Sequence, residues 1–430
     1  MNWTGLLSAL VLLLVAGCSS GTDGGSPAAV QSAPAGEVAQ ALPLLSLTTV
    51  GGVDVTSREV YLPGNYVLRD GQGQVLVSGA TEVRGRGNFT WGLPKKPYHI
   101  KLGTSTSLLG MPANRHWVLL ANYVDKTLLR NDVTFQLSRV LGMEYTPRST
   151  FVDVELNGVY QGVYQLTEHI RIAPDRVNVP ELRAGDVDPA LITGGYLIEV
   201  DNTRGEAFCY DSPRTATTGM TFCLKNPEKL LEPGWEDKRA YIETYINQTE
   251  DAIFSATFAD PVTGYAAYLD VDSAINYYLI NELVKNVDGD LRRSAYLVKK
   301  RGGKLTFGPV WDFDIALGND EGDGDEPAGW LIRWAPWFER LFQDPAFEAR
   351  VKAKWALLKS SGQLNDVFAY IDRRALYLSH VQERNFQLWD ILSIIVYPNS
   401  VAMGTYSGEV TYMKDWLRAR IAWMDAEFAR

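Results

Sequence analysis

The chain has 430 residues, 46% hydrophobic and 21% charged, the composition of a globular protein with enough apolar material for one large core or two. Its formal charge of -10 and isoelectric point near 5.1 exclude nucleic acid or an anionic membrane surface as a general partner. An anionic ligand therefore needs a local basic patch.

Residues 6–15 form an apolar run too short for a membrane span. Val15-Ala16-Gly17-Cys18 follows, small residues ahead of a cysteine as at a secretory cleavage site. The segment resembles a bacterial lipoprotein lipobox. That resemblance implies a signal peptide over 1–18, a lipid on Cys18, and a protein exported and held in the cell envelope by its lipid anchor alone. Ser19, which is not Asp, points to the outer membrane in a cell that has one. Residues 19–42 are rich in Gly, Ser, Ala and Pro and read as a disordered tether. Cys209 and Cys223 remain; in an exported chain such a pair most simply forms one structural disulfide, and neither has the His or Cys neighbours of a zinc site.

From about residue 43, short alternating runs with Gly-rich turns predict strands over 45–50, 60–62, 66–68 and 75–77. Glu82-Val83-Arg84-Gly85-Arg86-Gly87-Asn88, with Lys95, Lys96 and Lys101 close behind, is the basic patch that the acidic chain otherwise lacks. On an extended backbone Arg84 and Arg86 point to one face, and the glycines admit a ligand or another strand. The segment reads as a phosphate cradle or as a solvated basic strand pair. Alternation over 98–102 sets His99 and Lys101 opposite Tyr98, Ile100 and Leu102.

Residues 123–142 read as a helix capped by Asp125 and ended by Gly142. Residues 151–156 and 159–166 flank Asn157-Gly158, the signature of a type I′ hairpin, and the second strand delivers Glu168. Residues 195–201 form a strand enclosing Glu199, and 203–229 read as an irregular insertion carrying the cysteines. Helices follow over 237–255 and from a cap at Asp272, the latter running out at Asn286-Val287-Asp288. A second hairpin, 295–300 and 304–310, ends at Asp312. The acidic loop 319–326 lacks the calcium-loop pattern and reads as solvated. From Trp337 onward the chain is mostly helical. The four histidines, His99, His116, His169 and His380, have no nucleophile motif beside them and read as ordinary strand, loop or helix residues, which disfavours a Ser or Cys hydrolase.

The apolar run 305–311 delivers Asp312 and Asp314. Carboxylates at the end of a buried strand are costly unless paired or bound to a cation, so they read as divalent-metal ligands or as acids held by backbone amides. The order helix, Asp288, hairpin, Asp312 sets two carboxylates at the same end of a two-stranded ribbon. Eukaryotic-type protein kinases use this order: a catalytic Asp, a hairpin, then a metal-binding Asp before Phe.

Taken together these pieces resemble the spore-coat protein H (CotH) kinase family of atypical protein kinases. The resemblance is borne by Arg84-Gly85-Arg86-Gly87-Asn88 with Lys96-Pro97-Tyr98 and Lys101-Leu102, by residues 117–131, by Gly158-Val159-Tyr160-Gln161-Gly162-Val163-Tyr164 with Glu168, by Gly195-Tyr196-Leu197-Ile198-Glu199, by Asn286-Val287-Asp288, and by Trp311-Asp312-Phe313-Asp314. It implies an α+β, atypical protein-kinase-like fold, with a β-rich N-terminal lobe and a mostly helical C-terminal lobe over 43–347 and a further helical region, 348–430, packed on the latter. On it Asp288 is the catalytic base, Asp312 the principal Mg²⁺ ligand and Asp314 a second. Arg84, Arg86 and Lys101 hold ATP phosphates, with Lys96 the rival lysine, Glu168 the lysine's partner and Glu199 bordering the nucleotide. Arg293 stands where ordinary kinases place a metal-binding Asn. The implied activity is Mg²⁺-dependent transfer of the ATP γ-phosphate to Ser or Thr of secreted or surface proteins. The alternatives are a noncatalytic, pseudokinase-like envelope protein acting as a binding or assembly module, and a metal-dependent phosphoester hydrolase.

Overall fold

Alternating apolar and polar residues from Leu44 onward build seven strands that close on themselves. They are β1 (Leu44–Thr49), β2 (Leu62–Arg69), β3 (Val75–Gly85), β4 (Tyr98–Leu108), β5 (Met111–Leu120), β6 (Ser149–Leu156) and β7 (Val159–Glu168). Their order is β1-β2-β3-β4-β5-β7-β6, and the ring closes where β1 lies parallel to β6, Leu44 beside Asp153 and Leu47 beside Leu156. Every second residue points inward, so Leu45 and Leu47, Ile100 and Leu102, Trp117 and Leu119, Val152 and Val154 fill the barrel. Asn157 and Gly158 both adopt the left-handed backbone that an Asn-Gly hairpin turn requires.

The structure is a computed structural model describing residues 41–430. The expected signal peptide, Cys18 and residues 19–40 of the expected tether lie outside the described residues.

The barrel corrects the expected fold. The α+β class stands, but a closed seven-stranded barrel is not the β-rich lobe of a protein kinase. Closure depends on pairing β1 with β6, and Ser46 and Glu155, 109 residues apart, share a hydrogen bond of 3.2 Å across that seam. Nothing local in either segment announces a partner so distant. β5 is not among the strands expected from sequence, because its last residues are continuously buried and so do not alternate.

A second sheet, in the order β12-β11-β8-β10-β9, is built from β8 (Tyr196–Val200), β9 (Cys209–Tyr210), β10 (Phe222–Asn226), β11 (Ala295–Lys299) and β12 (Leu305–Phe307). The stretch expected to be an irregular insertion thus supplies two strands, and Cys209 and Cys223, paired across them, form a disulfide.

Ten helices complete the described residues: α1 (Phe89–Gly92), α2 (Arg130–Leu141), α3 (Thr215–Thr218), α4 (Glu236–Phe254), α5 (Val271–Val284), α6 (Pro336–Leu341), α7 (Pro345–Ser360), α8 (Gln363–Leu378), α9 (Val381–Leu388) and α10 (Tyr406–Phe428). Two caps differ from expectation. Asp125 does not open a helix at 123; it braces an irregular turn, accepting from Thr127 N and Arg130 N and pairing with Arg130 Nη1 at 2.6 Å, so α2 begins only at Arg130. Asp270, not Asp272, caps α5 by accepting from Ser273 N. The described residues belong to one unit, in which α10 is tied to α5 by the fully buried pair Arg420–Glu282, 2.6 Å apart. No helix among the described residues is long and apolar enough to cross a membrane.

Candidate active site

Past β12 the chain turns through Gly308, Pro309, Val310 and Trp311 to Asp312, which holds a left-handed backbone at φ 69°. A non-glycine residue in that region stores strain and needs surroundings that impose it. Here they are visible: the next amide, Phe313 N, donates to Asn131 Oδ1 of α2 at 2.9 Å, and Ser294 Oγ donates to Asp312 Oδ2 at 3.1 Å. Asn319 then fastens the following turn by donating to Asp314 O at 2.7 Å. Asp288 sits on a single 3-10 turn, Val287–Gly289, just after α5.

These acids act on one another. Burial, and next the charge of Asp312, push the Asp288 carboxyl up to about 6, against the opposing pull of Arg293, whose Nη1 lies 3.5 Å from Asp288 Oδ1. Burial also raises Asp312, which Arg86 and the Ser294 hydrogen bond counteract. Asp314 is raised well above the carboxylate range by burial and then by Asp312, Asp125 and Asp288. Three half-buried carboxylates facing so few cations are what a divalent cation would relieve, and their hard oxygens suit Mg²⁺. Among the described residues no three His, Cys, Asp or Glu side chains enclose a metal ion by themselves.

The basic residues divide between two spaces. Arg86 stacks over Trp311, 5.3 Å from the ring, and with Lys95, Asn131, Asp312 and Asp314 lines a narrow cleft. Arg84 donates to Arg58 O, lies over Tyr61, and with Lys101 lines a second cavity of about 300 Å³ between the barrel and the second sheet. Lys101 is paired with Glu82 at 2.7 Å. Lys96 lines neither space, because its Nζ donates to Trp91 O. The lysine in the cleft is its neighbour Lys95, buried against Tyr164, donating to Asn385 Oδ1 at 3.0 Å and held down at about 7 by burial.

Two expected partners are not brought together. Glu168 pairs with Arg148 at 2.7 Å and not with Lys101. In the β4–β5–β7 register Glu168 shares a row with Trp117 and Ile100, while Lys101 shares the next row with His116, so pleating sends the two side chains to opposite faces. Glu199 pairs with Lys225 at 3.1 Å, yet its charge still reaches Asp312.

A comparison with protein families matches residues 83–424, most of the chain, to the CotH kinase protein family. The chain belongs to the CotH kinase family. The match spans the basic segment, Asp288, Asp312 and most of α10, and leaves β1 and β2 outside. A comparison with curated proteins returned no match.

One feature of this CotH family member escaped the sequence reading. His99, His116 and His169, three of its four histidines, meet in the 300 Å³ cavity. His99 stacks on His169 at 4.4 Å, its Nε2 lies 3.3 Å from His116 Nδ1, and Tyr61 OH lies 3.0 Å from its Nδ1. Burial holds all three well below the usual imidazole range, His116 down at about 3. Their mutual repulsion and Arg84, Arg86, Arg171, Lys101 and Lys225 add to the effect, so the rings are neutral at pH 7. No motif links positions 99, 116 and 169; the register of β4 on β5, and the end of β7 one residue before His169, bring them together.

Proposed function

We propose that this CotH family member is a Mg²⁺-dependent phosphotransferase that moves the γ-phosphate of ATP to Ser or Thr of secreted or surface proteins. The observation that supports it best is the pairing of unlike acids. Asp288 is held near 6, the range of a general base working at neutral pH, and it senses the charge of Asp312, which is buried deeper beside Arg86. In this reading Asp288 takes the proton of the acceptor hydroxyl, and Asp312 and Asp314 hold the cation. Mg²⁺, when bound, neutralises phosphate charge as the γ-phosphoryl passes between oxygens. Arg86 and Arg84 orient the phosphates, and the histidine-lined cavity, with Lys101 and the Glu199 partner Lys225 at its walls, receives the rest of the nucleotide. Lys95 replaces Lys96 as the cleft lysine. Glu168 keeps only an architectural role.

The test is transfer of labelled γ-phosphate by the purified protein at millimolar Mg²⁺, beside Asp288→Ala and Asp312→Ala. Labelling of itself or of a Ser-rich acceptor, lost in both variants, supports the assignment; absence of nucleotide binding at any Mg²⁺ concentration overturns it. A noncatalytic binding module is the second reading, favoured by the small size of the Asp312 cleft, about 20 Å³. It predicts no phosphate transfer, with or without nucleotide binding, and biological function intact in Asp288→Asn. Free phosphate released without any labelled acceptor identifies the hydrolase alternative.

We also propose export and anchoring through a lipid on Cys18. Metabolic labelling with a fatty acid, absent in Cys18→Ser, tests it.

A further inference from the structure

On the far side of the β11–β12 hairpin from its acids lies a cavity of about 350 Å³ that the phosphotransfer reading does not use. Its apolar wall is Met143, Val177, Val179, Val298 and Phe307. Its polar end is Arg148 and Arg176 on either side of Glu168, and there the charges do not balance. Glu168 is fully buried, and Arg148 already occupies it, with Nη1 on Oε1 at 2.7 Å and its amide N on Oε2 at 2.9 Å; the Tyr145 hydroxyl donates to Oε2 as well. Arg176 is left 3.9 Å from the same carboxylate, only 4% exposed, with Nη2 lacking any partner. Two guanidiniums, Arg148 half-exposed and Arg176 buried, thus share one buried carboxylate. The other acids of the lining do not correct this: Glu144 is paired with Lys300 at 2.5 Å, and Asp175 is exposed. Arg176 offsets its charge only through that long ion pair and two backbone carbonyls, and a negative group in the cavity would offset it further.

We propose that this cavity binds a small amphiphilic anion, a carboxylate or phosphate monoester with a short apolar chain, its head on Arg148 and Arg176 and its tail against Met143, Val179 and Phe307. A pocket of this size, about half apolar and half polar with convergent donors, has the make-up of a site for an amphiphilic small molecule. Its occupant would be felt in the nucleotide cavity, because Arg176 Nη1 donates to His116 O at 2.9 Å and His169 O at 2.7 Å. The proposal does not depend on phosphotransfer, and its test needs no activity.

The test is calorimetric titration of the full-length protein in detergent with hexanoate, hexyl phosphate and hexanol. The expected result is saturable one-site binding of at least one anion, with hexanol at least tenfold weaker; the preferred anion names the head group. Val298→Phe, which fills the cavity, should abolish that binding, and Arg148→Gln, a half-exposed position, should weaken it about tenfold, the loss of one charge-assisted hydrogen bond. No heat from either anion up to about 10 mM, a concentration that reveals even millimolar affinity, overturns the proposal. So does binding that survives unchanged in both variants.

Discussion

Arg293 stands with its Nη1 3.5 Å from Asp288 Oδ1, at the sequence position where ordinary kinases carry a metal-binding Asn. It is the cation that restrains the rise of Asp288 toward 6. Removing it should push that carboxyl higher. Because Arg293 is more than half exposed, solvent screens the effect, and the expected shift is about half a unit to one unit. Arg293→Ala should therefore move the acidic limb of the pH–rate profile upward by that amount, with the plateau above pH 8 largely kept. A profile that does not move separates Asp288 from the proton transfer.

The raised acids carry a stability cost with a definite sign. Folding favours the protonated form of Asp288, so its contribution is fully present below the ordinary value of 3.8 and is lost as pH rises through about 6. Over that window the loss is on the order of 3 kcal/mol, and the raised Asp312 and Asp314 act in the same direction. Without divalent cation the melting temperature should fall between pH 5 and 7.5, and the fall should be smaller in Asp288→Asn. Added Mg²⁺ should restore the wild-type value and leave Asp312→Asn unmoved. Calorimetric scans across that range check both statements.

Asn131 is the far support of the loop that carries Asp312 and Asp314. Its Oδ1 receives Phe313 N at 2.9 Å, directly beyond the left-handed Asp312. Asn131→Ala leaves that amide without a partner, at a cost of about 1–3 kcal/mol in stability. It should also lower kcat tenfold or more by loosening Asp312, while ATP binding at saturating Mg²⁺ weakens less. Urea titration and steady-state kinetics measure the two effects separately.

The last helix is part of the core. Arg420 donates to Glu282 O and pairs with Glu282 Oε1, both side chains fully buried. Glu282→Ala leaves that guanidinium uncompensated and should cost about 3–5 kcal/mol. Ending the chain at residue 405 should abolish cooperative unfolding altogether, because Met413, Trp416, Leu417 and Met424 of α10 leave the core with it. A cooperative transition retained in that truncation would show α10 to be dispensable.

Much of the local structure was legible before any coordinates. Asn157-Gly158 marks its hairpin because few other pairs tolerate two left-handed residues in succession. The pairing of Cys209 with Cys223 was readable from a chain expected to be exported, in which these two cysteines remain once Cys18 is set aside. The closeness of Asp288 and Asp312 was readable because both flank one short hairpin, β11–β12. Caps were less legible: Asp125 and Asp272 have the right chemistry for a helix start, but the backbone amides they would serve lie elsewhere.

What the sequence alone determined, then, is what depends on neighbours in the chain: turns, amphipathic faces, two hairpins, and which acids a ribbon carries to its end. Long-range pairing decided the rest. The parallel β1–β6 seam turned the expected kinase-like lobe into a closed barrel, since hydrogen bonds between remote strands leave no mark on either strand's composition. Strand register sent Glu168 to Arg148 and away from Lys101, and brought His99, His116 and His169 into one cavity, because a shift of a single residue exchanges the two faces of a strand.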